Sequence, residues 1–213
     1  MINLLKTILR ASPLFPVIKG YKLQQEVKAW EAQGKTGPSP ALVKRQNLKE
    51  VAQAQGTKIF VETGTFMGDT LAALAEDFDQ LYSVELAPAL YERACKRFAG
   101  VDKITLFFGD SGQVLGELLP KLKEPALFWL DGHYSAGETA KGDKETPILE
   151  ELGHIFATEP KHVIVIDDAR CFADEAPEPD YPTLSRLRAF VAQRAPHLEM
   201  EVRDDAIFLS PKG

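Results

Sequence analysis

The acidic residues of this chain fall where a fold could use them for chemistry. Glu62, Glu85, Asp110, Asp131, Asp167 and Asp168 each sit within or just past a short apolar run. In an open α/β fold such runs are strands, and ligands gather at their carboxyl ends. The first acid belongs to residues 58–70, where Ile59, Phe60 and Val61 have strand propensity and Gly64 and Gly68 bracket a turn. Asp69 or Thr70 then stands near a helix N-terminus, and Leu71, Ala72, Ala73, Leu74 and Ala75 carry the helix on. A strand-turn-helix unit presents unpaired backbone N–H groups and a positive helix end at the sheet edge. The plain alternative is an ordinary connecting turn.

The glycine spacing narrows the ligand. Nucleotide folds that cradle a pyrophosphate carry G-x-G-x-x-G. Here the pattern is Glu62-x-Gly64-x-x-x-Gly68, with an acid ahead of the first glycine and no glycine at the second place. That disfavours an NAD-dependent oxidoreductase. A carboxylate beside the turn repels a pyrophosphate but suits a ligand with an ammonium group, and S-adenosylmethionine is the ligand that fits. The expected cofactor contacts in the turn are Glu62, Thr63, Gly64, Thr65, Phe66, Gly68 and Thr70. Glu85 ends the next apolar run, where a carboxylate accepts two hydrogen bonds from a ribose diol. Such charge-assisted bonds are worth about 1.5–3 kcal/mol each. Asp110 and Ser111 end the third run and either contact an adenine ring or simply cap a helix.

A second constellation follows. Asp131 ends residues 125–130, and Asp167 and Asp168 end residues 162–166. Those two strands are neighbours in this topology, about 4.8 Å apart. Carboxylates converging there repel one another unless protonated or paired with a cation. Magnesium takes such a hard oxygen set and keeps positions for substrate or water. In the alternative, Asp167 or Asp168 caps a turn and only one faces the cleft. Asp131 and His133 are the candidate bases, since a neutral imidazole is a competent proton acceptor near neutral pH. Residues 134–146 contain Gly137 and Gly142 among charged residues and read as a lid or as a solvated loop.

The remaining elements must position these groups. Residues 58–63, 80–85, 103–108, 125–130 and 162–166 read as strands. Helices are expected over 88–98, 113–119, 144–156 and 182–194. Two last strands, 198–202 and 206–209, flank a tight turn at Arg203, Asp204 and Asp205. The expected fold is a doubly wound, Rossmann-like, seven-stranded α/β sheet with a terminal antiparallel hairpin. Ahead of it lie three helical stretches, an amphipathic one over 1–18 closed by Pro13 and Pro16, then 21–33 and 40–55. They divide the chain into an N-terminal helical cap, 1–57, and a cofactor-binding unit, 58–213, and they offer a surface for a homo-oligomer.

Composition excludes several classes. Of 213 residues 45% are hydrophobic, enough for one substantial core. A net charge of −6 with no basic run argues against a nucleic-acid partner. No apolar run approaches a transmembrane span. Cys95 and Cys171 read as reduced thiols of a cytoplasmic protein.

Residues 58–210 resemble the class I S-adenosylmethionine-dependent methyltransferases, through Val61 to Gly68, Glu85, Gly109-Asp110-Ser111, Asp131-Gly132 and the closing hairpin. Within that class the chain looks most like the macrocin O-methyltransferase family of sugar-modifying enzymes. The resemblance implies methyl transfer to a hydroxyl of a small-molecule or sugar acceptor. It also implies a magnesium ion on Asp131, Asp167 and Asp168, with Asp131 placed as base. The segment from His133 to Asp143 departs from that family's pattern. A cofactor-binding regulatory or scaffold module without catalysis is the alternative.

Overall fold

Period-two alternation decides how the strands pack. The computed structural model describes residues 15–132, 146–158 and 161–212. These form a sheet of seven strands: β1 (Ile59–Thr63), β2 (Gln80–Glu85), β3 (Ile104–Phe108), β4 (Ala126–Leu130), β5 (Val163–Ile166), β6 (Leu198–Arg203) and β7 (Ala206–Pro211). Their order is β3-β2-β1-β4-β5-β7-β6. β1 to β5 pair in parallel, and β7 pairs antiparallel with both β5 and β6. Side chains alternate between two buried layers. Phe128, Leu130, Ile164, Ile166 and Ile207 enter one, and Leu127, Trp129, Val163, Val165 and Phe208 enter the other. Burial on both faces is what a parallel sheet requires. The doubly wound expectation is met, and β1 sits beside β4 at the reversal of strand order, the usual place for a ligand crevice.

The helices are α1 (Phe15–Ala32), α2 (Ala41–Gln55), α3 (Asp69–Leu74), α4 (Pro88–Arg97), α5 (Ser111–Leu118), α6 (Ile148–Phe156) and α7 (Leu184–Arg194). α2 is not an appendage. Its Leu48 and Ala52 belong to the same buried layer as Phe60, Trp129 and Phe208. Gly56 stops it in the left-handed conformation, φ 65°, and donates its N–H to Ala52 and Gln53.

Several boundaries differ from the sequence expectation, each for a local reason. The described part of α1 runs from Phe15, where the expected helix began at 21, so Pro16 lies within a helix. Of the helix expected over 1–18, residues 1–14 lie outside the described residues. α5 starts at Ser111 because the Asp110 carboxylate accepts the Gln113 N–H at 3.3 Å. α7 starts at Leu184 because Thr183 caps it. α6 starts at Ile148, after Pro147, and residues 144 and 145 lie outside the described residues. In the terminal hairpin Arg203 pairs with Ala206, leaving Asp204 (φ 47°) and Asp205 (φ 55°) as a two-residue loop. Positive φ at both positions matches the right-handed strand twist, and Asp tolerates it.

One buried histidine makes the fold sensitive to acid. His162 leads into β5, where its Nδ1 accepts the Ala126 N–H at 3.1 Å and its ring meets Phe128 edge-on at 5.0 Å. Burial lowers its pKa from 6.5 to about 4. Because the folded value lies below the unfolded one, the stabilisation is complete above pH 6.5 and is lost as pH falls through about 4. His162→Asn keeps an acceptor for Ala126 but cannot titrate. Urea unfolding between pH 7 and pH 4 is expected to show the unmodified chain losing on the order of 2 kcal/mol more than this variant.

Candidate functional site

The β1–α3 turn is shaped by close backbone approach. A Cβ on Gly64, which has φ 88°, would lie 2.5 Å from the Asp131 carbonyl oxygen. Only glycine lets the end of β1 sit against the end of β4. Gly68, with φ 70°, forms the N-cap of α3, and a Cβ there would meet the Phe98 ring at 2.7 Å. Asp69 opens α3 and pairs with Arg97 at 2.8 Å. Thr70 follows it, partly buried.

Glu85 is held from both sides. Its Oε2 accepts the Phe66 N–H and its Oε1 accepts the Ala87 N–H, each at 2.8 Å. A carboxylate has about four acceptor sites, so these two bonds fix its plane and leave acceptor capacity for a diol. Phe66 adopts φ 47° to make this contact, and its side chain stands exposed on the turn. Glu62 points to the α2 side of the sheet, fully enclosed. Ser83 donates to its Oε1 at 2.9 Å, and Thr65 and Ser83 bond at 2.6 Å. Burial raises its pKa from 4.5 to about 8, with the Glu85 charge adding to the rise.

On the opposite side of β1, Thr63 Oγ1 and Glu151 Oε1 are buried, with no partner beyond each other. A Cβ on Gly132 would lie 3.1 Å from that threonine oxygen and 3.6 Å from that glutamate oxygen. Burial raises Glu151 from 4.5 to about 7, against the pull of the Ser111 and Thr63 hydroxyls. Asp110 takes the cap role that the sequence left open. The strand ends therefore bring together the Glu85 carboxylate, the backbone of the glycine turn and two buried oxygens. That donor and acceptor set fits a polar nucleoside ligand with a cationic tail.

The second constellation comes together as expected, with an addition. Asp131, Asp167 and Asp168 converge at the ends of β4 and β5. Burial, then Asp167, raises the Asp131 carboxyl well above its usual range, and Asp167 is raised by burial too. Asp168 has φ 55° and donates its N–H to Asp167 Oδ1 at 2.8 Å. The addition is two protein cations. Lys44 of α2 places its ammonium against Asp167 Oδ2 and 3.5 Å from Asp168 Oδ1. Arg170 contacts Asp168 Oδ1 at 2.8 Å and also bonds Asp205. Burial pulls the Lys44 pKa down, but Asp167 and Asp168 more than offset it, so the amine stays charged. Among the described residues no group of three or more His, Cys, Asp or Glu side chains is arranged to hold a metal ion. The aspartates as they stand do not fit magnesium, because ammonium and guanidinium groups already supply the positive charge.

His133 lies outside the described residues, as do positions 134–145 of the lid segment; Thr146 is buried. Sequence reasoning missed Lys44, Arg170 and Glu151. Arg170 had a signal, a cation two residues past an acidic pair. Lys44 and Glu151 look like ordinary charges on amphipathic helices.

No family model and no curated protein matches this sequence. Solved structures share its fold. An O-methyltransferase from Bacillus cereus, in complex with SAH, superposes with a TM-score of 0.59 at 16% identity over 89% of this chain and 90% of its own. The O-methyltransferase TomG from Streptomyces achromogenes, in complex with SAM, gives 0.57 at 18% over 90% and 89%. The 23S rRNA methyltransferase ErmE gives 0.52 at 15% over 83% and 70%. At such identities these likenesses establish the Rossmann-like methyltransferase fold.

Glu62 gives the site a pH signature. Its folded pKa of about 8 lies above the unfolded 4.5, so its contribution to stability is complete below pH 4.5 and is lost as pH rises through 8. Glu62→Gln stays neutral and still accepts from Ser83. Denaturant unfolding at pH 5 and pH 8 is expected to show the variant gaining on the order of a few kcal/mol over the unmodified chain at the higher pH. An unchanged difference would place a charged Glu62 in the fold.

Proposed function

We propose that this chain is an S-adenosylmethionine-dependent methyltransferase acting on a hydroxyl oxygen of a small-molecule or sugar acceptor. The observation that carries the reading is the contact of the Gly64 turn with Asp131. It puts a polar nucleoside crevice and a basic carboxylate side by side, with only backbone between them. The solved structures of like fold support it, since two of them are O-methyltransferases in complex with SAM or SAH. ErmE has the same fold and methylates an RNA by its name, so the fold leaves the acceptor open. The net charge of −6 favours a small acceptor over a nucleic acid.

Each residue has a role in this reading. Glu85 would hold the ribose diol, and the Phe66 and Ala87 N–H groups fix the plane of its carboxylate. Glu62, Thr63, Gly64, Thr65, Gly68 and Thr70 line the turn, and Asp110 and Ser111 flank the base. When bound, S-adenosylmethionine supplies an electrophilic methyl carbon whose bonding electrons stay on sulfur as it leaves. Asp131 takes the proton of the acceptor hydroxyl, and the acceptor oxygen forms the new bond to carbon. Its raised pKa suits a base, because proton affinity nearer neutral pH gives a larger driving force for the transfer. His133 is the other base candidate carried from the sequence.

Calorimetric titration with S-adenosylmethionine, S-adenosylhomocysteine and NAD tests the cofactor. The first two are expected to bind with micromolar affinity and NAD not at all; NAD displacing the sulfonium ligand would sink the reading. Glu85→Ala is expected to weaken binding by at least about 1.5 kcal/mol. Glu76→Ala, at an exposed acid, is expected to change nothing. With a panel of hydroxylated acceptors and labelled cofactor, Asp131→Asn is expected to cut transfer about 10²–10⁴-fold. Cofactor affinity should hold in that variant.

A further inference from the structure

The carboxylate centre contains a cation of its own. Asp167 and Asp168 are 3% and 5% exposed, and an isolated buried carboxylate is costly unless it is paired. Arg170 serves Asp168 from within the same loop. Lys44 arrives from a different part of the chain and reaches both acids.

Its placement is built rather than incidental. The Lys44 side chain is 22% exposed, and its ammonium lies 6.0 Å from the centroid of the Trp129 ring on β4. Its helix and the loop that leads into it are tied to the β6–β7 turn at three points. Asn47 Nδ2 donates to Asp204 Oδ2 at 3.3 Å, Lys35 Nζ bonds Asp204 Oδ1 at 3.3 Å, and the Ser39 hydroxyl donates to the Asp204 carbonyl. Lys49, on the same helix, points outward to Asp77 at the surface. The helix thus delivers one particular lysine to the aspartates.

We propose that Lys44 is the resident cation of this centre, standing where a divalent ion would otherwise be held, and that its ammonium anchors the acceptor oxygen beside Asp131. The proposal rests on the methyl-transfer reading for the identity of that oxygen. An ammonium has three N–H donors, of which two face Asp167 and Asp168. The third is the donor for the acceptor. A divalent ion can chelate both oxygens of a vicinal diol, whereas one N–H binds a single oxygen. The acceptor class that follows is therefore a lone hydroxyl rather than an obligatory diol.

The test uses metal binding, so it does not depend on turnover. Mn²⁺ is titrated into the full chain and followed by its electron paramagnetic resonance signal. The unmodified protein is expected to bind no stoichiometric Mn²⁺. Lys44→Gln and Lys44→Ala remove the ammonium and are expected to gain one Mn²⁺ site, which adding Asp168→Asn should abolish. Lys44→Arg keeps the charge and is expected to gain none. Thermal unfolding checks that each variant is folded, and Mn²⁺ should raise the midpoint of only those that gain a site. A stoichiometric site in the unmodified protein that Asp168→Asn removes would overturn the assignment. A folded Lys44→Gln or Lys44→Ala that gains no site would overturn it equally. Failure of the methyl-transfer reading would appear separately, as loss of cofactor binding in the calorimetric titration.

Discussion

Charge compensation at the carboxyl ends of β4 and β5 governs how this molecule is assembled. The topology places Asp131 beside Asp167 and Asp168, and the sheet buries the β5 pair. Like charges that close cannot all ionise without positive partners. The compensating groups are themselves anchored at the two ends of the fold: Lys44 precedes the first strand, and Arg170, two residues past Asp168, is locked to Asp205 in the last hairpin. Breaking a buried pair by removing one partner costs about 3–5 kcal/mol. The N-terminal helices and the terminal hairpin are thereby part of the same electrostatic unit as the aspartates.

The hairpin turn is the joint of that unit. Its two aspartates face opposite ways. Asp204 takes Lys35, Ser39 and Asn47 from the helical side, and Arg203 adds a bond to Asn47 Oδ1 at 2.8 Å. Asp205 takes the Ala169 N–H on its carbonyl at 2.8 Å and the Arg170 N–H on its carboxylate at 3.0 Å. A two-residue loop has little freedom, so both cations are positioned by one rigid turn. The guanidinium of Arg203, stacked 3.9 Å from the Phe208 ring centroid, braces it from beneath.

Most of the fold could be read from sequence because its signals are local. The β4 and β5 runs are apolar throughout, and alternation then only had to divide Leu127 and Trp129 from Phe128 and Leu130. The glycine spacing at Gly64 and Gly68 located the turn, since positive φ and close approach are demands that glycine meets alone. Helix starts were misplaced where a side chain decided them, as at Asp110 and Thr183. The three aspartates could be placed at adjacent strand ends from topology. What surrounds them could not. Lys44 and Lys49 differ by five positions on one helix, and only the tertiary tie through Asp204 turns the first inward. Glu151 was hidden for a similar reason, since its burial depends on the packing of α6 beneath Gly132. The expectation of magnesium came from counting carboxylates without the cations that answer them.

The molecule treats its buried acids in two ways, and the difference bears on what each site can hold. Glu62 and Glu151, on either side of β1, are raised by burial to about 8 and about 7, Glu62 against the pull of the Arg45 charge. At neutral pH Glu62 is mostly neutral and Glu151 stands near its midpoint. An approaching cation favours their ionised form, so negative charge can appear as the cation arrives rather than having to be sustained beforehand. Asp167 and Asp168 are answered instead by fixed ammonium and guanidinium groups. Their charge is already spent, and a second cation entering there must displace Lys44 first. Acids that develop charge on demand suit a cationic ligand, and a centre with its cation built in suits a neutral oxygen. In the methyl-transfer reading proposed above, the two halves set side by side across the Gly64–Asp131 contact divide between them the electrophile and the nucleophile.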